Sequence, residues 1–150
     1  MSKTNDFEDS VLSLIFNNDN IANIGDATGV RGSTVAGSVY IALFTGDPGE
    51  AASFAAEATY TSYARVAVAR TSGAWTVSGN SPTQAANAAA VTFPQATGGT
   101  NTLTHFGVCK SSAGTAAGEM LYYGSLDSSL EVSNGITPEA AIGALVIEEA

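Results

Sequence analysis

The sequence predicts a mainly β protein, either a β-sandwich or a jelly-roll-like barrel of about seven or eight strands, with a short N-terminal helix. Short segments with the apolar alternation of strands recur along most of the chain. Glycine, proline and asparagine stand between these segments, where the chain must reverse. The length of 150 residues suits one domain with a sizeable core, so we expect a single β domain over residues 1–150.

Residues 1–16 carry the spacing of one short helix. A polar residue, Thr4 or Asp6, can cap its start, and a run of asparagine and aspartate after residue 16 ends it. Four apolar residues recur at helical intervals: Phe7, Val11, Leu14 and Ile15. We expect this stripe to pack on the chain's own sheet, and the alternative is docking onto a neighbouring subunit.

Residues 17–37 read as a loop or arm that separates the helix from the β-sandwich of residues 38–150. Four glycines lie among serines and threonines between residues 25 and 37. Such a composition is typical of irregular chain rather than of a helix or strand.

The strand pattern begins at Val39. Both faces of the segment from Val39 to Phe44 are apolar, so we expect a central strand that is covered on two sides. Turns are expected at GDPGE (residues 46–50) and at SGNSP (residues 78–82). Seven further strand candidates are Ala64 to Arg70, Ala74 to Ser78, Ala88 to Phe93, Leu103 to Lys110, Glu119 to Leu126, Glu131 to Val132 with its neighbours, and Ala144 to Glu148.

The charge balance excludes two classes of partner. The chain has 14 acidic and 5 basic residues, a formal net charge of −9, and no basic run. Nucleic acid binds to clustered cations and anionic membranes repel an acidic surface, so we expect neither as a partner. No stretch approaches the length of a membrane span, and the start does not read as a signal peptide. One cysteine cannot form an internal disulfide, which is compatible with folding in a reducing cytoplasm.

The residue types of enzyme sites are scarce. The single histidine, His105, and the single cysteine, Cys109, lie on one predicted strand. Four strand residues span about 13 Å, too far for both to bind one zinc ion. We expect His105 to be a hydrogen-bonded residue at a sheet surface or an interface, and Cys109 to be a small buried apolar residue.

The carboxylates also predict no site. Asp47 and Glu50 flank Pro48 and Gly49, and a turn explains this group better than a calcium loop does. Four other carboxylates are scattered singly: Glu57, Asp127, Glu131 and Glu139. The sequence lacks a nucleophile elbow and a phosphate loop, and Gly98 and Gly99 are best explained by a hairpin connection. We therefore predict no catalytic residue, no cofactor and no metal.

Aromatic residues are the remaining candidates for recognition. Most should lie in the core or in cross-strand pairs. Exposed tyrosines could instead anchor a subunit interface or stack on a sugar ring, and the sequence leaves both roles open. The candidates are Tyr60, Tyr63, Trp75, Phe93, Phe106, Tyr122 and Tyr123.

Six phrases in a fixed order span nearly the whole chain: IALFTGDPGEA, YTSYARVAVAR, SGAWTV, VTFPQATGGTNTLTHFGV, LYYGSL and NGITPEAAIGALVI. The start is similar to the pattern SKxNxFExxLLxLIF. Together they resemble a family of small virion structural proteins of tailed bacteriophages, whose members are often labelled tail fibre or virion proteins. The resemblance implies a non-enzymatic component of the virion.

The resemblance leaves the position on the particle open. The chain has no coiled-coil shaft and no repeat, so we favour a capsid decoration (cement) protein that stabilises the head shell. Its expected partners are the major capsid protein or other virion proteins, and a homo-oligomer, with a trimer favoured. The alternative is a tail-tip or tail-fibre-associated protein that binds host surface glycan.

Overall fold

The computed structural model describes residues 3–79 and 82–149, and it is mainly β with one short N-terminal helix, as the sequence predicts. The helix α1 (Asn5–Leu12) continues into a π-helical turn, Ser13–Asn17. The described residues form nine strands: β1 (Ser38–Phe44), β2 (Val66–Ala69), β3 (Trp75–Ser78), β4 (Thr83–Asn87), β5 (Val91–Thr92), β6 (Asn101–Cys109), β7 (Met120–Val132), β8 (Glu139–Ala140) and β9 (Val146–Glu149).

The chain forms two compact units. The helix unit comprises residues 3–38, Ala69–Val91 and 140–149. The four-stranded unit comprises Val39–Val68 and Thr92–Glu139. The single domain expected over residues 1–150 stays a prediction.

In the helix unit, α1 packs against a three-stranded antiparallel sheet of order β3-β4-β9. The core of this unit forms around Trp75, which is fully buried. The ring of Phe16, from the π-helical turn, lies 4.6 Å from the Trp75 ring between centroids. These two aromatic side chains fasten the end of the helical segment to β3.

The buried side of the helical segment differs from the predicted stripe. Leu12 and Phe16 are fully buried and Glu8 is 4% exposed, whereas Phe7 is 41% exposed. Within α1 the buried face is displaced by one residue from the predicted stripe, since Glu8 and Leu12 are buried in place of Phe7 and Val11. Phe16, in the π-helical turn after Leu12, extends this buried face.

Residues 18–37 form the loop that the sequence predicts, and they fold back on themselves. Asn18 adopts a left-handed conformation with φ of 63° and ends the helical segment. Its side chain bonds both backbone groups of Ser33, with Oδ1 accepting from the amide and Nδ2 donating to the carbonyl. A single antiparallel bridge joins Ile21 to Val30.

In the four-stranded unit, the sheet has the order β2-β1-β6-β7. β1 lies between β2 and β6, and Ile41, Leu43 and Phe44 are buried, which confirms the predicted central strand. Leu43 pairs with Phe106 in the antiparallel register of β1 and β6. β7 is at one edge of this sheet.

Three strand predictions need correction. Only Val91–Thr92 of the predicted strand at Ala88 to Phe93 is a strand, and it pairs with the unpredicted β8. β4 was not predicted, because it buries only small or polar residues: Thr83, Ala85 and Asn87. β7 is one strand where the sequence predicted two. Asn80 and Ser81 of the predicted turn at residues 78–82 lie outside the described residues.

Candidate functional site

The densest group of polar side chains lies in the four-stranded unit around Arg65. Its guanidinium binds Glu57 in a two-pronged ion pair, with Nε 2.7 Å from Oε1 and Nη2 2.9 Å from Oε2. The hydroxyl of Tyr63 donates to Glu57 Oε1 at 3.0 Å and accepts from the Leu43 amide at 3.0 Å. A guanidinium that makes two parallel hydrogen bonds to a carboxylate is among the strongest geometries for an ion pair.

The other side of the guanidinium holds the turn after β6. Nη1 donates to the Ser111 carbonyl at 3.0 Å, and Nη2 donates to the Gly114 carbonyl at 2.9 Å. Nη1 also lies 3.7 Å from Glu119 Oε1. The Arg65 side chain is only 2% exposed, and its guanidinium carbon stands 4.8 Å from the centroid of the Phe54 ring. Arg65 therefore joins chain segments that are far apart in sequence.

The electrostatics of the Arg65 cluster (Glu57, Tyr63, Arg65 and Glu119) follow from these contacts. The hydrogen bond to Glu57 raises the pKa of Arg65, so the guanidinium stays charged. Hydrogen bonds from the side chain and amide of Ser111 hold the pKa of Glu119 below its usual value. Burial raises the pKa of Tyr63, which keeps its phenol protonated. The cluster thus keeps Arg65 charged, Glu119 ionised and Tyr63 protonated near neutral pH.

An open groove of about 420 Å³ runs beside the Arg65 cluster. Aromatic and polar side chains line it together with small residues: Phe54, Ala55, Glu57, Ala58, Thr59, Tyr63, Ala64, Arg65, Ser112 and Ala113. The polar hydrogens of Arg65 already point at protein oxygens, so the cluster itself acts as a brace.

His105 and Cys109 both lie on β6, in different surroundings. His105 Nδ1 shares a 2.9 Å hydrogen bond with Thr104 Oγ1. Cys109 is a free and fully buried cysteine, and burial raises the pKa of its thiol to about 11. Within residues 3–79 and 82–149, no group of three or more His, Cys, Asp or Glu side chains is placed to hold a metal ion.

The turn interpretation of Asp47 fits the structure. Its Oδ1 accepts a 2.8 Å hydrogen bond from the Gly49 amide, and Gly49 has φ of 62°. Asp127 and Glu131 are exposed on β7, and Glu139 Oε2 accepts a 2.7 Å bond from Thr92.

Glu57 is the residue of the candidate site whose role the sequence does not predict. The sequence predicts a carboxylate that is scattered singly, whereas in the structure Glu57 is the main partner of Arg65. A signal was present in the sequence, since only five residues of the chain are basic and one of them follows Glu57 by eight positions. The contact depends on a loop that brings the two side chains together, which no periodic pattern predicts.

The aromatic candidates divide by exposure. Four are buried in the core: Tyr60, Trp75, Phe93 and Phe106. Tyr60 also bonds the Pro94 carbonyl at 3.1 Å and meets the Tyr63 ring edge-on at 5.4 Å between centroids. Tyr123 is 40% exposed on β7, near Leu121, which is 41% exposed. Leu130, near the other end of β7, is 37% exposed, so β7 carries three exposed apolar side chains.

One family model matches residues 21–148, and its description is "Podophage GP4 fiber I protein gp80". The chain belongs to this family. It is therefore a virion structural protein of a tailed phage, as its sequence phrases suggest. A search of curated proteins finds no match. None of the helices among the described residues has the length and hydropathy needed to cross a bilayer.

The fibre description bears on the two positions left open by the sequence. It agrees better with the tail-fibre alternative than with capsid decoration. The match includes the Arg65 cluster, its groove and β7, because all of them fall between residues 21 and 148.

Proposed function

We propose that this protein is a fibre-associated structural component of a podophage tail, which works by binding other virion proteins and catalyses no reaction. The observation that carries the proposal is the match of residues 21–148 to a family described as a fibre protein. Capsid decoration, which the sequence alone favoured, has no comparable support.

The polar chemistry of the four-stranded unit agrees with this role. Arg65 is held by four hydrogen bonds and is almost wholly buried, an arrangement that fixes loops in place. A rigid loop surface is what a subunit needs in order to dock repeatedly in one geometry. The low charged fraction of 13% leaves much of the surface suitable for burial against a partner.

Immunogold labelling of intact particles tests the position. Antibodies against the purified protein should label the tail region, at few sites per particle. Labelling spread over the head would instead support capsid decoration and overturn the proposal. Particles from a phage that lacks the gene provide the control for antibody specificity.

Binding of a host surface glycan is a second candidate function, and the groove beside the Arg65 cluster favours it. The groove combines an aromatic side chain, Tyr63, with the hydroxyl of Thr59 and the carboxylate of Glu57. Binding sites for small polar ligands commonly combine apolar surface with a few placed polar groups. At about 420 Å³ the groove is within the usual size range of ligand sites.

Titration calorimetry with polysaccharide from the host envelope tests this second function. A Thr59→Arg variant should abolish the heat of binding, because a long side chain fills the groove from an exposed position. Thr102→Arg, an exposed position on β6 outside this groove, is the matched control. Binding that survives Thr59→Arg would remove the groove as the glycan site.

A further inference from the structure

A turn in the four-stranded unit carries a dipeptide that can react with itself. Asn134 is followed by Gly135, and this is the one asparagine–glycine pair in the sequence. In an unfolded chain, the backbone nitrogen of the residue after an asparagine attacks the carbon of the side-chain amide. Glycine hinders this attack least, because it has no β-carbon and its backbone moves freely. The pair is therefore a chemically reactive point of the chain.

The reaction is a deamidation in two steps. The Gly135 nitrogen forms a bond with Cγ of Asn134, and the bond from Cγ to Nδ2 breaks. The proton of the Gly135 amide leaves with the side-chain nitrogen as ammonia. Water then opens the cyclic imide at one of its two carbonyl carbons. Attack at Cγ gives aspartate, and attack at the backbone carbonyl gives isoaspartate, in which the main chain runs through Cγ.

In the folded chain these two residues are the centre of a tight turn. The Ile136 amide donates to the Ser133 carbonyl at 2.9 Å, and Gly135 has φ of 88°. A type II turn requires a positive φ at its third residue, which glycine adopts without strain. The turn fixes the backbone on both sides of Asn134, so the Gly135 nitrogen cannot rotate freely toward Cγ.

A neighbouring segment holds the same turn from outside. The Gly135 amide donates to the Ala96 carbonyl at 2.7 Å, so the proton that must leave for the attack is engaged. The Ala96 amide donates to the Ile136 carbonyl at 2.8 Å, and Gln95 Nε2 donates to the Gly135 carbonyl at 2.9 Å. These contacts keep the attacking nitrogen in place.

The turn is nevertheless accessible to water. Asn134 and Gly135 are both exposed. A β-carbon on Gly135 would meet no heavy atom of the described residues within 4 Å, apart from its chain neighbours. Val132 and Pro138, on the two sides of the turn, are each less than 2% exposed. The turn can therefore open to water while its two ends stay buried in the fold.

We propose that Asn134–Gly135 is a latent deamidation site, which the fold keeps slow through the contacts of its turn with residues 95–96. Local opening of the turn then sets the rate. Isoaspartate lengthens the main chain by one carbon atom, so the turn cannot form again with the same bonds. Both products add a negative charge to a chain of formal net charge −9. The site goes beyond the proposed function and does not depend on it.

Mass spectrometry after digestion with trypsin measures the reaction at this site alone. Cleavage after Lys110 releases residues 111–150, in which Asn134 is the one asparagine and glutamine is absent. The gain in mass of this peptide therefore reports Asn134. The full chain is incubated at mildly alkaline pH, either folded in buffer or unfolded in guanidinium chloride. The folded chain should react at least about tenfold more slowly, because only its open fraction reacts.

A Gln95→Ala variant tests the contact with residues 95–96. Gln95 is exposed, so its removal loosens the turn without disturbing the core. The folded rate should rise about threefold to tenfold, as expected for the loss of one hydrogen bond. The rate in guanidinium chloride should not change, because the residues beside Asn134 are the same. Gln84→Ala is the matched control, since Gln84 Nε2 binds Glu148 in the helix unit.

The outcomes decide the proposal. A folded rate that Gln95→Ala raises and Gln84→Ala leaves unchanged, with isoaspartate among the products, supports it. A peptide that gains no mass in guanidinium chloride overturns the site. Equal rates in the folded and unfolded chain overturn the protection by the fold. So does a Gln95→Ala variant that reacts at the wild-type rate, or a Gln84→Ala variant that is accelerated equally.

Discussion

Arg65 holds together segments that the chain places far apart. It binds Glu57 eight residues earlier, and the carbonyls of Ser111 and Gly114 lie 46 and 49 residues later. Because the side chain is buried, removing it takes the cation away from the Glu57 carboxylate, which keeps the hydrogen bond from the Tyr63 hydroxyl, and it leaves the two carbonyl groups without their donor.

Replacing Arg65 should therefore destabilise the four-stranded unit strongly. For Arg65→Met, we expect a loss of about 3 kcal/mol in the free energy of unfolding, because one partner of a buried pair is removed. Urea denaturation measures the change. Arg31→Met makes the same substitution at an exposed position and should change stability by less than about 0.5 kcal/mol. Equal effects from the two substitutions would contradict a bracing role for Arg65.

Glu119 should make stability depend on pH in the acid range. Its folded-state pKa lies below the usual value of 4.5, so its stabilising contribution is complete above that value. The contribution is lost as the pH falls through the folded-state pKa. Glu119→Gln should flatten the acid side of the stability curve measured by thermal unfolding, and Ser111→Ala should shift it in the same direction. Acid curves that coincide with the wild type would contradict this assignment.

In the helix unit, Arg70 has a role like that of Arg65 in the four-stranded unit, because it joins separate structural elements. It donates from Nε to the Ile15 carbonyl at 2.6 Å and from Nη2 to the Leu14 carbonyl at 2.7 Å. Its Nη1 also donates to the Ala36 carbonyl at 3.1 Å and to Ser33 Oγ at 3.2 Å. One side chain thus caps the end of the helical segment and closes the loop of residues 18–37, because carbonyls at a helix end lack partners within the helix.

Arg70→Ala should loosen the helical segment and the loop together. We expect a loss of about 2–3 kcal/mol, since several hydrogen bonds to a charged group are removed. Hydrogen exchange followed by mass spectrometry should show faster exchange in both α1 and residues 18–37. Faster exchange in one of them alone would show that Arg70 does not couple them.

The elements that the sequence predicted are those with large apolar residues in a regular pattern. β1, β6 and β9 were found for this reason, since Ile41, Val108 and Ile147 mark buried faces. β4 was missed because its buried residues are threonine, alanine and asparagine, which also occur in turns. The helix was predicted and its buried face was not, because that face includes the polar residue Glu8, which apolar spacing does not indicate.

The candidate site was less predictable than the strands. Glu57 and Arg65 carry no motif, and their contact with residues 111–119 depends on how β6 and its turn return to the loop before β2. The edge position of β7 was also not predictable, because the sequence pattern does not distinguish an edge strand from a central one. The resemblance to phage virion proteins came from phrases across the chain rather than from these side chains.

Charge is the property of the whole molecule that governs its association. Several of the five cations are already engaged, since Arg65 and Arg70 bind inside the fold and Lys3 Nζ lies 2.8 Å from Glu149. The surface that remains is strongly acidic, so copies of the chain repel each other at low ionic strength.

A reconstruction of the whole virion tests most directly that this protein acts as a structural part of the tail fibre. We predict that density matching the sheet of order β2-β1-β6-β7 lies in the tail fibre region, with its exposed surfaces buried against other virion proteins. Density for this fold in a regular array over the head, or none anywhere in the particle, would contradict the proposed role.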